Sequence, residues 1–189
     1  PFLLVHDDGN NQDTLQARIN GYLQLHGNKY PAQAIHRIDY ETSGLVLFCK
    51  HPFFQAYCDN NIQNHTIKKE YIALVDGKTN YKNKKIVSYI ARDRHNAKKM
   101  IIHPNGKESI SIFNTLKNYK DCSLIQVTIL TGRKHQIRVQ CASLKHPILN
   151  DTLYGGKKID NTGLLLQSHH IQFNDIDITC PQENRFIRK

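Results

Sequence analysis

The sequence contains no long apolar run. None of its hydrophobic stretches approaches the roughly 20 residues that a membrane-spanning helix needs. No basic segment followed by a long apolar stretch stands at its start, so these residues contain no secretory signal. Hydrophobic residues make up 39% of the chain and charged residues 22%, as in soluble globular proteins. These features predict a cytoplasmic protein that does not bind a membrane.

Paired cysteines and metal-binding motifs are also missing. The five cysteines are scattered and form no C-x-x-C pair, which argues against a disulfide framework and against a zinc site. The eleven histidines show no H-E-x-x-H spacing, and the adjacent His169 and His170 would face opposite sides of a strand. We therefore expect no bound metal.

Acidic residues are too few to balance the basic ones. The 189 residues include 26 Lys and Arg against 16 Asp and Glu, which gives a formal net charge of +10 and a pI of about 9.4. A compact protein with this charge is expected to meet polyanions, RNA or DNA first among them. The alternative is a basic surface that only keeps the protein soluble. Charge alone does not decide between the two.

The hydrophobic pattern predicts a single α+β domain. Apolar residues at helical spacing predict three helices, from an N-cap at Asp13 to a stop at Gly27, from Pro52 to about residue 65, and over residues 135–144. The first of these is expected to support the core. Apolar runs and alternation predict strands at 45–49, 69–76, 86–90, 100–103, 108–116, 122–130 and in the tail 164–178. The 45–49 run is expected to be buried on both faces. We therefore expect a mixed, mainly antiparallel central sheet with flanking helices, and turns at 7–11, 104–106 and 118–121.

The nine residues from 36 to 44 carry the candidate reactive group. Asp39 lies on a short connection, two residues after Arg37 and just before a Thr-Ser-Gly run. An arginine and hydrogen-bonding groups can hold a carboxylate in one orientation, as a nucleophile or a general base requires. The alternative is an Asx-turn, in which Asp39 only caps its own backbone.

Four blocks of sequence occur in the order and at the spacing of one enzyme family. The block HRIDYETSG (36–44) resembles the HRLD-x-x-TSG signature of the RluA-type pseudouridine synthases, with Ile38 in place of leucine. The other blocks are KEYIALVDG (69–77), TGRKHQIRV (131–139) and HPILND (146–151), the last followed by Tyr154-Gly155. The resemblance implies a pseudouridine synthase fold and a cofactor-free enzyme that isomerises uridine in an rRNA or tRNA stem-loop. We expect a monomer.

The resemblance also implies roles for individual residues. Asp39 would be the nucleophile, Tyr71 would stack on the target base, and Arg138 would pair with the Asp39 carboxylate and keep it ionised. Arg37 would occupy the gap that the flipped base leaves. Other residues implied to contact RNA or the flipped base are His36, Thr42, Arg133, His135 and Gln136. From the residues alone, packing is the better explanation of Tyr71, and a solvated helix edge is the better explanation of Arg138.

Several features depart from the family pattern or lie outside it. Lys145 and Asn150 stand where relatives usually have glycine, and Leu166-Gln167-Ser168 replaces the usual Leu-His-Ala, so no role of that histidine carries over. The start, with Pro1 and Val5-His6, resembles the family's first residues without their glycine, so we expect a clipped start. We expect one catalytic domain over residues 1–189 and no S4-like domain within them.

Two other functions and one open interpretation remain at this point. A non-catalytic RNA-binding protein would explain the charge but would not need Asp39, Tyr71 and Arg138 together. A glycosidase would need two opposed carboxylates, for which Glu41 is the only close partner of Asp39. The basic segment 78–107, which includes Arg92 and Lys107, is either an arm that grips phosphates or a solvated hairpin.

Overall fold

The protein has an α+β fold in a computed structural model that describes residues 2–7 and 13–188. The predicted turn at 7–11 and the resemblance at Pro1 therefore lie largely outside the described residues. The α-helices are α1 (Leu15–Leu25), α2 (Gln55–Gln63) and α3 (Gln136–Ser143). The strands are β1 (Gln33–Ala34), β2 (Ser43–Gly44), β3 (Phe48–Cys49), β4 (Lys68–Asp76), β5 (Lys84–Arg92), β6 (Met100–Ile102), β7 (Lys107–Asn118), β8 (Cys122–Ile129), β9 (Leu166–Phe173) and β10 (Ile176–Thr179). Among the described residues, no helix is long and apolar enough to cross a membrane.

The central sheet has the order β10-β9-β4-β8-β7-β5-β6 and is antiparallel throughout, while β2 joins β9 in parallel. The predicted mixed, mainly antiparallel sheet is thus confirmed. The strand β4 lies inside the sheet, and its residues 71–75 are all buried. On α3, Ile137 and Cys141 pack against this core, which places the N-terminal end of the helix beside the ends of β4 and β8. Arg138, on one edge of α3, therefore lies next to the sheet.

The prediction of one buried strand at 45–49 was wrong. The chain instead makes two short pairings, β2 with β9 and β3 with β1, and only Cys49 of this segment is buried. The segment leaves the main sheet and packs into a separate cluster with Ile171 and Phe173. At Gly44 a Cβ would lie 2.1 Å from the Ser168 carbonyl oxygen, so the close approach of β2 to β9 requires glycine.

The first helix does not support the core as predicted. Its N-cap is Thr14, whose side chain accepts the Ala17 N–H, while Asp13 pairs with Arg18. None of its residues is buried, and Leu25 is 86% exposed. Its apolar positions form only a narrow, half-buried stripe, because Tyr22 and Leu25 point away from the protein.

Both departures from the family's glycines lie in the segment that follows α3. Lys145 (φ 61°) and Asn150 (φ 67°) both adopt the left-handed conformation. Lys145 N–H donates to Ala142 and His146 N–H to Cys141, which is the Schellman pattern that usually places glycine at this position. The Asn150 side chain also bonds Asp160 and Gly163, so asparagine contributes contacts that glycine would lack.

Replacing Lys145 with glycine is expected to stabilise the protein. Removing the Cβ relieves the left-handed strain, so Lys145→Gly should raise the free energy of unfolding by about 1 kcal/mol. Urea unfolding would measure the change. Lys145→Ala, which keeps the Cβ, should give no comparable gain, and Asn150→Gly should destabilise. An equal gain from Lys145→Ala would contradict the assignment of strain to the backbone.

Candidate active site

All nine residues that the sequence singled out line one cavity of about 560 Å³. Its walls are residues 35–39 with Thr42, the C-terminal end of α2 and residues 132–138, and β4 and β8 contribute Lys69, Tyr71 and Ile129. The four sequence blocks are far apart along the chain, and the sheet and α3 bring three of them to this cavity. Their roles in catalysis and RNA binding stay predictions.

Asp39 faces this cavity from a tight backbone turn. The Thr42 N–H donates to the Asp39 carbonyl at 2.9 Å, and the carboxylate is 23% exposed. Its Oδ2 lies 3.5 Å from Arg138 Nη1 and 3.9 Å from His135 Nε2. Within the described residues, no backbone N–H of the turn donates to this carboxylate, so the side chain does not form an Asx-turn. It is available to a ligand in the cavity.

Arg138 is held mainly by a second carboxylate. Its Nε and Nη2 donate to the two oxygens of Asp151 at 2.8 Å each, a bidentate pair, and the Asp151 side chain is fully buried. Burial opposes the charge of Arg138, but the hydrogen bonds and charge of Asp151, together with Asp39, raise the pKa of Arg138 above its usual value. The guanidinium is therefore a fixed cation, and its Nη1 remains for Asp39.

Tyr154 and His135 complete the wall around this pair. The Tyr154 ring packs on the Arg138 guanidinium at 5.1 Å, and its hydroxyl accepts the Met100 N–H. His135 Nδ1 lies 2.8 Å from the same hydroxyl. Because the hydroxyl already accepts from Met100, its proton is free to go to Nδ1, which leaves a hydrogen on Nε2 facing Asp39. His135 also has a left-handed backbone (φ 54°) directly before α3.

Tyr71 reaches the cavity from β4, next to a register shift between Glu70 and Tyr71 in the pairing with β9. The extra residue of this bulge is His169 on β9, so β4 itself keeps its regular alternation, and bulges are common beside active sites. The ring is 6% exposed, and burial, with a smaller contribution from the Asp39 charge, raises the pKa of Tyr71 to about 12. Near neutral pH it is therefore a neutral phenol.

Gln136 lines the cavity, but its amide is used within the protein. Its Oε1 accepts from Thr131 Oγ1 and Arg133 N–H, and its Nε2 donates to the Ile110 carbonyl and Ser111 Oγ. These four bonds anchor the loop before α3 to β7. The geometry thus favours a supporting role for Gln136 over direct contact with RNA.

The other predicted contact residues differ in how accessible they are. Arg37 and Arg133 are exposed at the rim of the cavity. Thr42 is buried, and its hydroxyl has no hydrogen-bond partner among the described residues. His36 accepts the Leu47 N–H through Nε2, so that nitrogen carries no proton. The arginines can therefore meet a large ligand, while Thr42 and His36 belong to the interior.

Among the described residues that line the cavity, Asp39 is the only carboxylate. Glu41 does not line it, and Asp151 is fully buried behind Arg138. A glycosidase needs two carboxylates on opposite sides of its substrate, so this arrangement disfavours that function. The described residues also contain no group of three metal-ligating side chains.

Comparison with known sequences identifies the family. A family model described as RNA pseudouridylate synthase matches residues 2–143. The chain belongs to this family. It is 37% identical over 145 residues to the uncharacterized RNA pseudouridine synthase YhcT of Bacillus subtilis, a match covering 76% of this chain and 48% of the relative. It is 38% identical over 175 residues to the ribosomal large subunit pseudouridine synthase C of Buchnera aphidicola, covering 84% and 55%. The chain thus spans about half the length of these curated relatives.

Solved structures of family members share the fold. The human RNA pseudouridylate synthase domain containing 4 superimposes with a TM-score of 0.78 at 19% identity, covering 98% of this chain and 84% of that one. The human RNA pseudouridylate synthase domain containing 1 gives 0.76 at 21% identity, covering 89% and 74%. The fold implied by the sequence motifs is confirmed.

Sequence reasoning gave no role to three residues that the structure places at this site. Asp151 and Tyr154 were noted only as part of a family block, and Lys69 only as the start of another. The signal for Asp151 was present, because a carboxylate just after the apolar run Ile148-Leu149 is a candidate for a buried ion pair. Its partner could not be known, since 13 residues separate it from Arg138.

The two buried histidines predict a loss of stability in acid. Burial lowers the pKa of both His36 and His135 to about 4, and for His36 the Lys69 charge acts in the same direction. Because an unfolded histidine titrates near pH 6.5, the unfolded state binds more protons between about pH 6.5 and 4. The free energy of unfolding should therefore fall as the pH is lowered through this window, by up to about 1 kcal/mol per pH unit for each ring.

Urea unfolding at neutral pH and near pH 5 would test this effect. His135→Gln should flatten the dependence on pH. His95→Gln, at an exposed position, should leave it unchanged. The same slope in wild type and His135→Gln would show that His135 does not contribute to it.

Proposed function

We propose that the protein is an RNA pseudouridine synthase that uses Asp39 as its nucleophile and ribosomal RNA as its substrate. The observation that carries the proposal is the single cavity carboxylate, Asp39, placed 3.5 Å from a buried and permanently charged Arg138. A cavity of about 560 Å³ has room for an extruded nucleoside. Relatives named ribosomal large subunit pseudouridine synthases, among them that of Buchnera aphidicola, favour ribosomal RNA.

The reaction exchanges one bond for another and needs no cofactor. The Asp39 carboxylate would attack either the uracil ring or the ribose C1′. The bond from C1′ to N1 breaks, the uracil turns, and a bond forms from C1′ to C5. The proton on C5 is lost to solvent, N1 takes up a proton, and the carboxylate is released. Atoms and charge balance, so the overall change is an isomerisation.

The surrounding residues would orient the reactants. The Arg138 cation would keep the Asp39 carboxylate ionised inside a closed site, where burial alone would favour the protonated form. Tyr71, as a neutral phenol, would contact the flipped base through its ring and hydroxyl. Arg37, exposed at the rim, would fill the gap that the base leaves in its stack.

A second cavity supports the interpretation of the basic segment as an RNA-binding arm. It has a volume of about 450 Å³, lies along β5 and β6, and shares residues 132–134 with the first cavity. The described residues of its lining include Arg92, Lys107, Arg133 and Lys134 and no carboxylate. RNA phosphates leaving the active site would follow this groove.

Tritium release from ribosomal RNA labelled at uridine C5 would test the proposed function. Release above the background without protein, together with pseudouridine in the digested product, would support it. Transfer RNA labelled in the same way provides the parallel substrate. Binding of both RNAs without release from either would favour an RNA-binding protein on this fold and would overturn the proposal.

A further inference from the structure

Lys69 is a buried cation that lines the cavity, and the reaction described above gives it no role. It lies two residues before Tyr71 on β4, so the two side chains share a face of the sheet, and both line the cavity. Only 7% of Lys69 is exposed. In the part of the chain that the structure describes, its ammonium group makes no ion pair and no side-chain hydrogen bond.

An unpaired buried lysine is costly, because burial removes the water that solvates its charge. Burial lowers the pKa of Lys69, and no carboxylate of the described residues offsets this effect. The Lys69 charge also lowers the pKa of His36, and both residues line the cavity. His36 is neutral with its pKa at about 4, so it adds no further charge.

The balance of charge in the cavity favours an anionic ligand at this point. Among the described residues that line the cavity, one carboxylate, Asp39, faces five cations: Arg37, Lys69, Arg133, Lys134 and Arg138. Arg138 pairs with Asp151 and Asp39, whereas the buried Lys69 has no counter-ion among the described residues. The Lys69 ammonium group has three N–H donors, and phosphate oxygens accept hydrogen bonds from such donors.

We propose that Lys69 binds a backbone phosphate of the RNA inside the cavity, next to the nucleotide whose base enters it. The base and ribose of uridine are neutral, so a flanking phosphodiester is the only anion that this nucleotide carries. The identity of the ligand as RNA rests on the proposed function, but the binding site does not depend on turnover. Among the described residues Lys69 forms no ion pair with Asp39, so it would bind the substrate rather than take part in the chemistry.

Binding of a fluorescent RNA hairpin with an all-uridine loop, measured by anisotropy over a range of salt concentrations, tests the proposal. Lys69→Gln should weaken binding about tenfold at low salt, because it removes one charge-assisted hydrogen bond. It should also reduce the slope of log K against log salt by about 0.7, the value for one phosphate contact in single-stranded RNA. Lys69→Arg, which keeps the charge, should retain the slope.

Lys120→Gln is the matched control. Lys120 is exposed in the turn before β8, at the opposite end of that strand from the cavity residue Ile129, and its loss should change affinity less than about twofold. An unchanged salt slope in a folded Lys69→Gln variant would overturn the proposal. Equal losses in Lys69→Gln and Lys120→Gln would overturn it as well.

Hairpins with one loop phosphate replaced by a neutral methylphosphonate give a test that does not depend on the folding of a variant. Wild-type protein should lose about tenfold in affinity at one loop position and little at the others. Equally small losses at every position would overturn the proposal. If these results hold while tritium release fails, the phosphate site stands and the proposed catalysis falls. Tritium release without a localised phosphate effect would support the proposed catalysis and overturn the phosphate site.

Discussion

Asp39→Asn is expected to abolish uridine isomerisation while leaving RNA binding within about twofold of wild type. The amide cannot act as a nucleophile, and loss of a nucleophile lowers turnover by at least about 10⁴-fold in enzymes that form covalent intermediates. The side chain is 23% exposed and accepts only a 3.5 Å bond from Arg138, so the substitution should cost little stability. Tritium release and anisotropy binding with the same ribosomal RNA would measure the two effects.

Glu41→Gln is the matched control for this experiment. It removes a carboxylate from the same connection two residues later, but Glu41 does not line the cavity. Turnover should stay within about threefold of wild type, the range expected for a residue outside the site. Substantial tritium release by a purified Asp39→Asn variant would exclude Asp39 as nucleophile. Complete inactivation by Glu41→Gln would revive a mechanism with two carboxylates.

Asp151→Asn is expected to destabilise the protein by about 3 kcal/mol and to reduce turnover strongly. Arg138 has a 6% exposed side chain, and loss of one charged partner leaves a buried cation that the distant Asp39 only partly compensates. The bidentate bonds at 2.8 Å also fix the guanidinium next to the nucleophile. Urea unfolding would measure the stability, and single-turnover rates at saturating RNA would measure the chemistry.

Two further variants separate the charge pair from a general effect of substitution. Asp121→Asn, at an exposed turn position, should change stability by less than about 0.5 kcal/mol. Replacing both partners, Arg138→Met with Asp151→Leu, should recover much of the lost stability because no buried charge remains, yet should not restore turnover. A stable and fully active Asp151→Asn variant would show that Asp39 alone suffices to hold Arg138.

The secondary structure was largely readable from local patterns. Strands such as β4 and β8 alternate or are continuously apolar, and glycine, proline and asparagine mark the turns between them. The apolar run at 45–49 was wrongly predicted to be a buried strand, because a buried strand and a segment packed against a separate cluster have the same composition. The prediction that α1 supports the core failed for a related reason. Apolar spacing does not tell how much of a helix face packs against the rest of the protein.

The sequence by itself determined the family, the sheet class and nine of the residues that line the cavity, because motifs and periodicity are local properties of the chain. The tertiary structure alone decided how their charges are paired. Arg138 forms its closest ion pair with Asp151, and the amide of Gln136 is hydrogen-bonded within the loop before α3. Lys69 is buried without a counter-ion among the described residues. Burial and ion pairing depend on distances between segments far apart in the chain, and those distances exist only after the sheet has assembled.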